Sequence, residues 1–163
     1  MTCRAADCAC PPLPIVAGQM RTASILVIED NRGDIELLRD ALESRAAPVE
    51  LFAVWNAADA YAFLAKGGQF RNAPTPDLVL IDLNLPGSDG RDILRSIKAT
   101  KSLKRLPVVV YSGASRPEEI DECLALGAAE YVVKPHGEFS YADLAAQIVR
   151  IAGADAGGHM ASG

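Results

Sequence analysis

The feature that most constrains the fold is an alternation. Between Ser24 and Ile151, short runs of β-branched and apolar residues trade places with longer amphipathic stretches. The runs are residues 25–28, 49–54, 78–81, 108–111 and 131–133. Ile35, Leu38 and Leu42 fall at offsets 0, 3 and 7, on one face of a helix. Stretches 57–64, 93–97, 120–126 and 144–151 behave similarly. Pro117 suits the first turn of the fourth helix. Gly127, just after Leu126, suits its stop. Strands that alternate with helices pair in parallel, and helices then cover both faces of the sheet. The central runs are almost continuously apolar, as strands buried on both sides must be. Right-handed crossovers leave few topologies. The expected fold is α/β, a doubly wound five-stranded parallel sheet of order 2-1-3-4-5 with five helices.

The 163 residues carry 16 Lys and Arg against 21 Asp and Glu, a net charge of -5. That balance lacks the basic footprint of a general nucleic-acid binder, so no nucleic-acid partner is expected. No apolar run reaches the length of a membrane span, and a cytoplasmic protein is the simplest reading. Cys3, Cys8 and Cys10 crowd the start with no histidine at a zinc-type spacing. With Pro11, Pro12 and Pro14 they suggest a disordered leader over 1–22, and Met20 is a plausible true start. The globular domain is expected over 23–152. Residues 153–163, rich in Gly and Ala, read as a flexible tail in which His159 is inert. Cys123 reads as a buried or half-buried helix residue.

In such a sheet ligands bind beyond the carboxyl ends of the strands. Strand one ends in Glu29-Asp30, strand three in Asp82, strand four in Ser112-Gly113 and strand five in Lys134-Pro135. Three carboxylates, a hydroxyl and an ammonium are thus expected at one rim. Two carboxylates about 5 Å apart repel by roughly 3 kcal/mol at an effective dielectric near 20. A divalent cation would cancel this, and an all-oxygen donor set suits Mg2+ better than zinc. One carboxylate could then attack phosphorus, with Lys134 and Ser112 meeting the oxygens of the arriving group. Any one of these residues alone would more often be a cap, a turn former or a solvated charge. Together they form a coherent chemical set.

Four segments carry a resemblance: ILVIEDN at 25–31, DLVLIDLNLPGSDG at 77–90, PVVVYSG at 107–113 and GAAEYVVKP at 127–135. In order, they resemble the receiver domain of bacterial two-component response regulators, a flavodoxin-like fold. The stretch through Asp89-Gly90-Arg91 is similar to stand-alone receivers that serve phytochrome kinases. The resemblance implies that Asp82 is the phosphoacceptor. It implies that Mg2+ is held by Asp30, by Glu29 through water, by Asp82, and by the backbone carbonyl of Asn84. It makes Lys134 the phosphate-pairing lysine, with a cis bond to Pro135, and Gly113 the residue that leaves access beside the acceptor. Ser112 and Tyr131 become the switch pair. The implied activity is magnesium-dependent phosphorylation from a donor, followed by loss of the group, rather than turnover of a substrate.

The implied partners are a sensor histidine kinase, with the phytochrome type indicated by the stretch at Asp89-Gly90-Arg91, or a phosphotransfer protein. A second copy or an effector is expected on the face formed by the fourth helix, fifth strand and fifth helix. Ile120, Leu124 and Tyr141 are candidate apolar anchors there. Two rival readings stand beside this one. A haloacid-dehalogenase-like aspartyl phosphatase needs a second Asp two residues after its nucleophile, and Asn84 occupies that position. A vestigial interaction module would bind no Mg2+.

Overall fold

The computed structural model describes residues 21–134 and 138–153. The expected leader and tail lie outside the described residues, apart from Arg21, Thr22 and Gly153, as does the Lys134–Pro135 bond. Five parallel strands form the sheet: β1 (Ala23–Ile28), β2 (Val49–Val54), β3 (Leu78–Ile81), β6 (Val108–Ser112) and β7 (Glu130–Val133). Their order is β2-β1-β3-β6-β7, which among the strands of this sheet is 2-1-3-4-5, as expected. The extra numbers belong to a small hairpin of β4 (Asn84–Leu85) and β5 (Ser88–Asp89) that the apolar pattern does not announce. Pro86 and the left-handed Gly87 (φ 66°) turn it, in the positions a type II turn requires.

The helices are α1 (Arg32–Ser44), α2 (Ala57–Ala65), α3 (Gly90–Ala99), α4 (Pro117–Ala125) and α5 (Glu138–Ile151). A single 3-10 turn spans Gly68–Phe70. Pro117 opens α4 and Gly127 (φ 104°) follows its end, both as expected.

Alternation along the strands divides the core in two. Ile25, Val27, Leu78, Leu80 and Val109 pack with Ile35, Leu38 and Leu42 of α1 and with Leu144 and Ile148 of α5. Leu26, Ile28, Val79, Ile81 and Val110 face the opposite way, against Phe63, Ile93, Ile97 and Cys123. Thus α1 and α5 cover one face, and α2, α3 and α4 cover the other. Every residue of β3 is buried, which explains its unbroken apolar run. Cys123 is fully buried. Among the described residues no helix is long and apolar enough to cross a membrane.

Candidate functional site

The carboxyl ends of β1, β3 and β7 bring Glu29, Asp30, Asp82 and Lys134 together. β1 pairs with β3 from Ile25↔Leu78 to Ile28↔Ile81, so Glu29 and Asp82 leave adjacent strands at the same level. Asn31 then starts α1, its side chain accepting the Gly33 amide at 2.9 Å. The Asn31 amide in turn donates to Glu29 Oε1 at 2.9 Å, which folds the Glu29 carboxylate inward. Beyond β3 the Asn84 amide donates to Asp82 Oδ1 at 3.0 Å. Gly90 lets the start of α3 lie against the end of β3: a Cβ there would lie 2.4 Å from the Asp82 carbonyl oxygen and 2.8 Å from Leu83 Cα. A Cβ at Gly113 would meet nothing within 4 Å, so the space beside it is open.

Lys134 sits at the centre. Its Nζ lies 2.8 Å from Asp82 Oδ2, 2.9 Å from Asp34 Oδ2 and 2.7 Å from Glu29 Oε2. Burial pushes the ammonium pKa down, but its contacts with Asp82, Glu29 and Asp34 outweigh this and hold it above the ordinary lysine value. Glu29 is 1% exposed. Burial, reinforced by the charge of Asp82, lifts its carboxyl to about 7 against the pull of Lys134 and the Asn31 amide. The sequence argument left the repulsion among these acids to a metal ion. Part of that task falls to the chain itself, because Lys134 Nζ stands between the carboxylates of Glu29, Asp34 and Asp82.

The acids still outnumber it. Oxygens of Glu29, Asp30 and Asp82 lie within 4.8 Å of one another. Buried Glu29 Oε2 faces Lys134 Nζ at 2.7 Å without the alignment of a hydrogen bond. With Asp30 and Asp82 beside it, this makes a hard, all-oxygen donor set, and a divalent cation fits it. Asp30, itself exposed, opens with Asn84, Asp89 and Arg91 onto a cleft of about 490 Å³.

A family model described as the response regulator receiver domain matches residues 25–147. The chain belongs to this family. The receiver is 36% identical over 110 residues to response regulator Rcp1 of Synechocystis, covering 68% of this chain and 75% of that one. The crystal structure of the Mn(2+)-bound form of Rcp1 superposes with a TM-score of 0.72 at 32% identity, over 78% of this chain and 91% of the other. The phosphorylated cyanobacterial phytochrome response regulator RcpA gives 0.74 at 35%, over 80% and 93%. The rice two-component response regulator ORR1 is 32% identical over 113 residues, and there the receiver spans 48% of its relative's length. Receiver domains typically interact with histidine kinases or other phosphorelay proteins, and this one carries the acidic cluster of a phospho-accepting switch.

The switch candidates lie on the same rim. Ser112 is fully buried, and its Oγ accepts the Ala114 amide at 3.3 Å. The Tyr131 hydroxyl donates to the Ala114 carbonyl at 2.9 Å and lies 3.5 Å from Glu119 Oε1 of α4. Sequence reasoning missed Asp34, Tyr111 and the true place of Tyr141. Tyr141 was a candidate surface anchor, but it is buried, with only 4% exposed. Its hydroxyl accepts from Tyr111 at 2.8 Å and donates to Asp34 Oδ1 at 2.8 Å, extending the Lys134 network onto α5. Asp34 lies in the first turn of α1, where an acid is common, and no linear signal marks its second role. Of the other proposed anchors, Leu124 is exposed and Ile120 half-buried.

Proposed function

We propose that the chain is a response-regulator receiver in which Asp82 accepts a phosphoryl group from a phosphohistidine. The observation that carries this reading is the clustering of Glu29, Asp30 and Asp82 oxygens within 4.8 Å of one another, with Lys134 2.8 Å from Asp82. An Asp82 oxygen attacks phosphorus, the P–N bond of the donor breaks, and an acyl phosphate forms. Lys134 holds Asp82 in place and then pairs with the phosphoryl oxygens. Asp30, Glu29 and Asp82, with the Asn84 carbonyl, would hold Mg2+, which when bound neutralises the charge of the transferring group. The two relatives described as Mn(2+)-bound and phosphorylated support both halves of this assignment.

The new group adds about -1.5 to -2 charge, as on other phosphorylated side chains. Ser112 turns from the Ala114 amide to bond it, the loop between β6 and α4 follows, and Tyr131 loses its present acceptor. The surface of α4, β7 and α5 thereby changes for a second copy or an effector, with Leu124 and Val133 as exposed apolar residues. Likeness to the phytochrome response regulator RcpA favours a phytochrome-type kinase as donor.

Acetyl phosphate with Mg2+ tests the acceptor. Intact mass should rise by one phosphoryl group, and EDTA or Asp82→Asn should abolish the gain. Label that persists on the Asp82→Asn protein overturns the assignment. Sedimentation with and without beryllofluoride tests the dimer, and a monomer in both removes that part.

A further inference from the structure

The charge of this chain is unevenly placed. Residues 60–76 and 93–117 contain no Asp or Glu, yet hold eight of the 16 Lys and Arg. The first stretch follows α2 and the turn after it, and the second follows α3 into β6. The two helices lie side by side, with the Tyr61 and Ser96 hydroxyls 3.3 Å apart. Between them runs a groove of about 270 Å³ lined by Tyr61, Leu64, Ala65, Ile97, Thr100 and Leu103. Lys66 adjoins Ala65, while Lys101 and Lys104 flank the stretch from Thr100 to Leu103.

Lys98 has a structural task. Its Nζ donates to the Leu106 carbonyl at 2.8 Å and to the Lys104 carbonyl at 3.3 Å. It is also the basic residue in the last turn of α3, where it answers the helix dipole. Lys66, Arg71, Lys101, Lys104 and Arg105 have no such task. All five are exposed, and none is in an ion pair with a described residue. Unpaired cations of one sign around an apolar hollow specify an occupant by complementarity.

We propose that the α2–α3 groove docks an acidic amphipathic helix of a partner protein. One large apolar side chain fills the hollow, and flanking carboxylates meet Lys66, Lys101 and Lys104. A hollow takes a protruding side chain, whereas insertion into a lipid surface would need apolar groups that stand out. Helices in this sheet run back against the strands, so the basic end of the groove lies at the edge away from Asp82. The proposal therefore does not depend on the phosphoryl chemistry.

The test titrates a labelled helical peptide, with Leu at i, i+3 and i+7 and Glu elsewhere, into the full isotope-labelled chain. Amide shifts should centre on Tyr61, Leu64, Ser96, Thr100 and Leu103. Affinity should fall roughly fivefold or more for Lys101→Glu with Lys104→Glu, whose exposed positions spare the fold, and again at high salt. A peptide with Ala for Leu should bind more weakly by a similar factor. The proposal is overturned if no shifts appear at millimolar peptide, or if they centre on α4 and β7. Equal binding of the Ala peptide also overturns it. So do the same shifts from a DNA duplex or phosphatidylserine vesicles at lower concentration.

Discussion

Glu29 shows what a side chain gives up by sitting at this rim. Its carboxyl is held near 7 in the folded chain against an ordinary value of 4.5. The folded state therefore binds more protons than the unfolded state between those values, and stability falls as pH rises through that window. The loss amounts to on the order of 3 kcal/mol. Urea denaturation in EDTA at about pH 5 and about pH 7.5 should show wild type losing ground to Glu29→Gln at the higher pH. A difference that does not change with pH would contradict the burial argument. The paired tyrosines make a second, asymmetric prediction. Tyr111→Phe leaves Tyr141 its acceptor on Asp34, whereas Tyr141→Phe strands the buried Tyr111 hydroxyl. Tyr141→Phe should therefore cost about 1–3 kcal/mol, and Tyr111→Phe clearly less, by the same denaturation measurement.

At the scale of elements, the strand ends explain why much of the site could be read from the sequence. A parallel sheet buried on both faces forces apolar runs, so the first polar residues after each run mark the rim. This makes Glu29, Asp30, Asp82, Ser112 and Lys134 legible in the sequence. The hairpin of β4 and β5 escaped because two-residue strands carry no periodicity. Tyr141 escaped because its partners, Asp34 and Tyr111, are 107 and 30 residues away along the chain. Gly90 was legible only as part of a motif, whereas its reason is steric. Gly90→Ala drives a Cβ into the backbone of Asp82 and Leu83. It should cost roughly 1–3 kcal/mol. It should also slow phosphorylation, because the strain falls on the end of β3. A thermal melt and an acetyl phosphate time course would check both, and a variant as stable and as fast as wild type would count against the close approach.

For the whole molecule, the balance of charge at the rim sets how the receiver responds to ions. A cation that binds only the folded chain stabilises it by roughly 1.4 kcal/mol at ten times its dissociation constant. Melting temperature should therefore rise with Mg2+ in wild type and stay flat in Asp30→Asn, whose exposed side chain leaves the core untouched. Such an increment is small beside the roughly 5–15 kcal/mol that holds an ordinary domain together. Lys134 gives this fact its meaning. Because the chain brings its own counter-ion to the buried acids, the fold is expected to assemble without a bound cation. Scarcity of the ion should then slow labelling and leave the supply of assembled protein unchanged.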